Sequence, residues 1–143
     1  MAGRVVIKLG GGLITDKSEL RTPNLAVIHQ LMEELVEIQQ CGFEIILVHG
    51  AGSFGHLLAK EYNLAEGRNT EFDQPSQSQF DAVEQVRADM MTLNGCVMKA
   101  MSKVDLTAAS FPPHQWVRGT GLDFIGDLSV FRDTPRGIIP MTF

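Results

Sequence analysis

Two lysines and a histidine flank two glycine-rich stretches in this sequence. Lys8 and Leu9 run directly into Gly10-Gly11-Gly12, Lys17 follows shortly after, and His56 closes Val48-His49-Gly50-Ala51-Gly52-Ser53-Phe54-Gly55-His56. Closely spaced glycines at a strand end leave backbone N–H groups bare, and phosphate is their usual occupant. Two such corners imply two phosphates, or one polyphosphate held from both sides. Phosphoryl transfer asks a protein for in-line placement and charge stabilisation more than for covalent chemistry. Lys8 and Lys17 carry the charge to neutralise the β and γ phosphates of ATP, and His56 can donate a hydrogen bond to an acceptor's own phosphate. An acceptor that is a phosphate monoester brings an anionic nucleophile, so no general base is required. That agrees with the lack of a paired carboxylate in the sequence.

Each of these residues has a plainer reading. Lys8 could be a solvated strand-end lysine, although Val5, Val6, Ile7 and Leu9 make an otherwise apolar strand. Lys17 lies in ordinary loop composition, Asp16-Lys17-Ser18-Glu19. His56 could cap its helix, and His49 reads as structural, facing the core or hydrogen-bonded within the corner. His29 and His114 carry no functional reading. The chain lacks GxxxxGK[ST], HExxH and paired metal-ligand spacing, and Ser53 does not sit in a Gly-x-Ser-x-Gly elbow. Gly50-Ala51-Gly52-Ser53-Phe54-Gly55 does match GxGxxG. A dinucleotide fingerprint, however, needs a further strand with an acidic residue about 20 positions on; here that region is a polar loop holding Glu71 and Asp73.

The elements that must position these residues follow from periodicity. Residues 4–9 read as a buried strand and residues 43–48 as a second, covered on both faces as in a parallel sheet. Between them Leu25, Ile28, Leu31, Met32, Leu35 and Ile38 recur at helical spacing, with Thr22 as N-cap, Pro23 at the first helical position and Gly42 at the stop. Strand, helix and strand make a βαβ unit. Residues 57–62 predict a short helix. Residues 63–79 form an unusually long polar loop, either a binding lid or disordered. A long helix is expected over 81–101, with Val83, Val86, Met90, Leu93, Val97 and Met101 on its apolar side; Met90, Met91, Met98 and Met101 read first as core filler. Glycines 119, 121 and 126 and the short run 128–131 precede a last strand, 137–143, with Pro140 placed near its end, where a missing N–H is tolerated. The fold class is α/β, a mostly parallel central sheet with helices on both faces.

At 143 residues and 44% hydrophobic composition the chain fits one domain with a real core. Its net charge of -5, with basic residues scattered, argues against a nucleic-acid footprint or a membrane-binding polybasic patch. Cys41 and Cys96 show no CxxC spacing and read as reduced, structural thiols. With neither a signal-peptide pattern nor a run of about 20 apolar residues, a cytoplasmic protein is expected.

The two corners together, Lys8 to Lys17 and Val48 to His56, resemble the amino acid kinase superfamily and, through the histidine after Ser53-Phe54-Gly55, its isopentenyl phosphate kinases. The resemblance implies transfer of the γ-phosphate of ATP, with Mg²⁺, to isopentenyl phosphate in isoprenoid synthesis. It implies that Lys8, Leu9 and Gly10, Gly11 and Gly12 cradle ATP phosphates, that Gly52 meets ATP, and that Lys17 stabilises the transition state. Ala51, Gly55 and His56 would contact the substrate phosphate, no protein-held metal is expected, and the 81–101 helix would help form a pocket for the isoprenoid tail. Two positions depart from the pattern: Gly12 stands where the family usually has serine, and Ala51 where it often has glycine. The missing hydroxyl at Gly12 removes a phosphate contact worth ~0.5–1.5 kcal/mol. The resemblance covers residues 1–143 as the amino-terminal, substrate- and phosphate-binding half, with the carboxy-terminal nucleotide half absent, so slow turnover by these residues alone is expected. A fosfomycin-type phosphonate kinase and a non-catalytic phosphate-binding or pairing module are the alternatives, and a second copy of the chain is a candidate partner.

Overall fold

The computed structural model describes residues 3–119 and 121–143. Strand β1 (Arg4–Leu9) leads into the short helix α1 (Gly11–Ile14), and helix α2 (Leu25–Gln40) returns the chain to β2 (Glu44–His49). After the second glycine corner come α3 (His56–Glu61) and the long α4 (Gln79–Lys103), then β3 (Thr107–Ser110). Helix α5 (Pro113–Trp116), the small antiparallel pair β4 (Val117–Arg118) and β5 (Ile125–Gly126), and α6 (Ser129–Arg132) lead to β6 (Ile138–Thr142). The main sheet is wholly parallel in the order β1-β2-β6-β3, which makes this an α/β fold. No helix among the described residues is long and apolar enough to cross a membrane.

Helix α2 ends where the sequence indicates, with Cys41 as C-cap and Gly42 at a φ of 89°, a left-handed position that favours glycine. Its start differs from expectation. Asn24, not Thr22, is the N-cap, its side chain accepting from the Val27 N–H at 3.3 Å. Pro23 lies outside the helix because it bridges to Thr15, while the Thr22 hydroxyl donates to the Leu20 carbonyl.

Helices α2 and α4 pack side by side over one face of the sheet, burying Ile28, Met32, Leu35, Leu93, Val97 and Met101 against Leu9, Ile45, Leu47, Ile139 and Met141. On the opposite face Phe131 of α6 meets Phe111 and Trp116 edge-on over the β6 side. Beside β1 and β2 that face is open, so Val6 is 68% exposed and β2 alternates between buried and half-buried residues. The expectation of strands buried on both faces is corrected here: β1 has one described neighbour, and on its outer face Arg4 reaches the Phe131 carbonyl of α6 while Val6 stays exposed. Pro140 likewise sits inside β6 rather than at its end. Met141 turns its carbonyl to the Phe111 N–H on the β3 side. The Pro140 nitrogen therefore faces β2, where pairing begins only at Leu47 opposite Met141, and no ladder bond is lost.

The long polar loop is neither open nor unstructured. Gln79, 2% exposed, donates to the carbonyls of Tyr62 and Gly67 and accepts from the Asn69 N–H and Arg68. Arg68 also grips Asp73 through two bonds of 2.6 and 2.8 Å, and Asp73 accepts from the Gln79 N–H. A Ser78 and Asp81 capping box then starts α4.

Candidate phosphate-binding site

The parallel register places Leu9 opposite His49, so both strands end at the same level and their glycine corners meet. The Gly50 N–H donates to the Leu9 carbonyl at 2.8 Å. A Cβ at Gly11 would collide with the backbone nitrogen of Gly52, and one at Gly50 would stand 2.5 Å from the nitrogen of Gly11. Backbone touches backbone, which is why these positions hold glycine. Gly52 is also left-handed, with φ 49°, and a side chain there would strike the Gly11 carbonyl and Thr15 Oγ1.

Thr15 ties the corners together. Its buried hydroxyl donates to the Gly11 carbonyl at 2.7 Å and accepts from the Ser53 N–H at 3.0 Å. Sequence reasoning passes over this residue; its only signal is the four-residue spacing from Gly11 that lets a threonine bond back to a carbonyl. Ser53, in turn, accepts at its carbonyl from the Arg21 N–H and at its hydroxyl from the Thr22 N–H. It is a structural junction for the loop that carries Lys17.

Between the clamped corners, the N–H groups of Gly11, Gly12, Ala51 and Gly52 donate to no group among the described residues. Gly11 and Gly12 open α1, where N–H groups have no intrahelical acceptor. These adjacent unpaired donors form a cradle for anionic oxygen. Lys17 reaches back over it: a Cβ at Gly12 would stand 3.0 Å from Lys17 Nζ and collide with its Cε. The neighbouring Asp16 carboxylate is turned to Ser18, accepting from its hydroxyl and its N–H, bonds that hold its pKa below the usual carboxylate value.

Not every expected residue joins the cradle by its side chain. Leu9 is buried in the core and its carbonyl is taken by Gly50, while Gly10 accepts from the Leu13 and Ile14 N–H groups. Lys8 is exposed at the end of β1, and neither it nor the exposed His56 makes a side-chain hydrogen bond or ion pair among the described residues. His56 opens α3 without capping it; Gly55 is the N-cap.

Gly55 links the cradle to an apolar cavity. A Cβ there would crowd the Ala51 methyl at 2.9 Å and touch Met90 Sδ and Val86 Cγ1 at 3.6 Å. Val86 and Met90 also line a cavity of about 270 Å³, with Met91, Pro113, Val117 and Phe143 among its other walls. Met101 lies in the core with Met98 packed against it, Met90 belongs to the same core and also lines the cavity, and the exposed Met91 faces the cavity.

Known proteins resemble this chain in sequence and in fold. The chain is 33% identical over 108 residues to the isopentenyl phosphate kinase of Thermoplasma acidophilum, covering 76% of this chain and 40% of that protein. It is 26% identical to that of Methanocaldococcus jannaschii, covering 95% of this chain and 53% of the relative. An isopentenyl phosphate kinase substrate complex superposes with a TM-score of 0.78 at 28% identity, over 100% of this chain and 54% of that one. Another isopentenyl phosphate kinase crystal structure gives 0.84 at 25% identity, over 97% of this chain and 55% of that one. The Synechocystis aspartate kinase, at 17% identity and a TM-score of 0.68, shares the fold. The chain spans about half the length of the curated relatives it matches. With the model of the amino acid kinase family matching residues 3–128, and the two glycine corners clamped into one cradle within that span, the chain belongs to the amino acid kinase family.

Proposed function

We propose that this chain supplies the phosphate-acceptor side of an ATP-dependent isopentenyl phosphate kinase. One observation carries the reading: Gly55 lies at once beside the unpaired N–H cradle and against Val86 and Met90 of the apolar cavity. A ligand spanning both has a phosphate head and a short apolar tail, the chemistry of isopentenyl phosphate. Resemblance to isopentenyl phosphate kinases along most of the chain points the same way.

In this reading ATP supplies the γ-phosphoryl group. An oxygen of the acceptor phosphate bonds to the γ-phosphorus as the bond to the β-phosphate oxygen breaks, releasing ADP. The acceptor oxygen is already anionic, so no side chain has to remove a proton. Lys17 offsets charge on the moving group from above Gly12, the N–H groups of Gly11, Gly12 and Gly52 hold nucleotide phosphate, and Lys8 adds charge at the strand end. Ala51, Gly55 and His56 face the acceptor phosphate. Mg²⁺ carried on the nucleotide's phosphates would shield their charge.

Phosphorus NMR tests this. The chain is followed with Mg-ATP and isopentenyl phosphate, with His56→Ala as control and fosfomycin as second acceptor. A diphosphate signal that requires His56 is expected. Folded, ATP-binding protein that makes no diphosphate would end the substrate assignment, and phosphorylated fosfomycin in the parallel tube would favour the phosphonate branch.

A further inference from the structure

Beneath the cradle runs a buried polar chain that the proposed chemistry does not use. His49 is 1% exposed and Asn94 2%. Ser110 Oγ lies 2.8 Å from Asn94 Oδ1, Asn94 Nδ2 lies 3.1 Å from His49 Nε2, and His49 Nδ1 lies 3.1 Å from the Gly50 carbonyl. The ring stacks on Phe143, centroids 5.0 Å apart at 22°. Three elements, α4, β3 and the end of β6, therefore converge on one imidazole.

The polarity of this chain has one consistent solution. A carbonyl only accepts, so Nδ1 must carry the proton facing Gly50. Burial lowers the pKa of His49 and keeps the ring neutral, so Nε2 is an acceptor. Asn94 must then present its NH₂ to Nε2, which leaves Oδ1 to accept from the Ser110 hydroxyl. Every donor meets an acceptor. The opposite amide orientation would press the Nδ1 lone pair against the Gly50 carbonyl.

The consequence lies across one peptide bond. The Gly50 carbonyl and the Ala51 N–H belong to the same trans, planar unit, so they point in opposite directions. Drawing the carbonyl inward to His49 turns the Ala51 N–H outward, where it has no partner among the described residues. We propose that His49, protonated on Nδ1 and held by Asn94 and Ser110, is a positioning residue that fixes the Gly50–Ala51 peptide plane and aims the Ala51 N–H at the acceptor phosphate. The destination of that N–H rests on the kinase reading; the fixing of the plane does not.

The test uses the 143-residue chain labelled with ¹⁵N. Imidazole ¹⁵N spectra of the wild type are expected to show His49 protonated on Nδ1 and bare on Nε2; a proton on Nε2 would overturn the proposal. Residual dipolar couplings then report the Ala51 N–H direction in the ligand-free protein. His49→Phe keeps the ring and its stacking on Phe143 but has no donor, and should reorient that N–H. His49→Asn keeps an amide donor at the δ position and should preserve it. An unchanged direction in a folded His49→Phe protein refutes the positioning role. Titration with isopentenyl phosphate and with inorganic phosphate adds the second arm: roughly ten-fold weaker binding for His49→Phe, restored by His49→Asn. If wild-type Ala51 and Gly52 amides respond to neither phosphate, the kinase reading fails while the dipolar couplings still decide the role of His49. Should His49→Phe not fold, the wild-type tautomer and the Asn94→Leu variant, which frees Nε2 from its donor and should loosen the Ala51 plane, decide in its place.

Discussion

Lys17 occupies the space that a side chain on Gly12 would fill: its Nζ is 3.0 Å from where that Cβ would stand. The absence of a hydroxyl at position 12 and the placement of the lysine are therefore one fact. Gly12→Ser would bring a phosphate-binding hydroxyl and displace the end of a flexible side chain. Because only the far end of Lys17 must move, stability should change by under about 0.5 kcal/mol. Nucleotide-phosphate affinity measured in a cycle with Lys17→Ala should be non-additive by at least ~0.5 kcal/mol, as expected for residues in contact. Additive effects would mean that the lysine does not depend on the glycine.

The clamp between the corners is a single hydroxyl. Thr15→Val keeps the shape but leaves the buried Ser53 N–H without its acceptor and takes a donor from the Gly11 carbonyl. A loss of about 1–3 kcal/mol in urea unfolding is expected, together with weaker phosphate binding. Thr15→Ser retains both bonds and should recover most of the loss. Equal behaviour of the two variants would remove the hydroxyl from the argument.

Much of this site could be read in the sequence because it is written in backbone requirements. Gly50, Gly11 and Gly52 declare positions where no side chain fits, and the apolar spacing from Leu25 to Ile38 declares the helix that returns the chain. What could not be read depends on partners distant in sequence. Composition marks residues 63–79 as polar but cannot show that Gln79 is buried at their centre. The apolar run at β1 cannot reveal that Val6 faces outward, since exposure is decided by what covers the sheet. Thr22 and Asn24 are both N-cap types, asparagine the stronger, and the Thr15 bridge to Pro23 keeps Pro23 out of the helix.

The 63–79 loop should carry an acid-dependent part of the stability. The Arg68 guanidinium and the Gln79 N–H hold Asp73 at about 2, below its ordinary 3.8. Its folded pKa is depressed, so between these values the unfolded chain binds more protons and stability rises with pH. The contribution is present above about pH 4 and is lost as pH falls toward 2. Thermal midpoints across this window should fall less steeply for Asp73→Asn than for the wild type. Identical slopes would show that the Arg68 grip is not felt in the folding equilibrium.

The loop bearing Lys17 is anchored to α4 by a pair that also borders the apolar cavity in sequence. Arg21 Nε donates to Asp89 Oδ2 at 2.7 Å, Gln85 Nε2 donates to Asp89 Oδ1 at 2.9 Å, and Asp89 is 8% exposed, next to Met90. Removing the buried carboxylate leaves Gln85 without its acceptor and releases a half-exposed arginine into water. The stability cost should be moderate, about 1–3 kcal/mol, since the partner left without its acceptor, Gln85, is only half-buried. The sharper effect is expected at Lys17: with Arg21 held only by its N–H to the Ser53 carbonyl, the loop gains freedom relative to Gly12. On the kinase reading, Asp89→Ala should lower kcat several-fold while the KM for isopentenyl phosphate changes little, because Ala51, Gly55 and His56 lie outside that loop. A change confined to KM would instead place Asp89 on the acceptor side and detach it from the lysine.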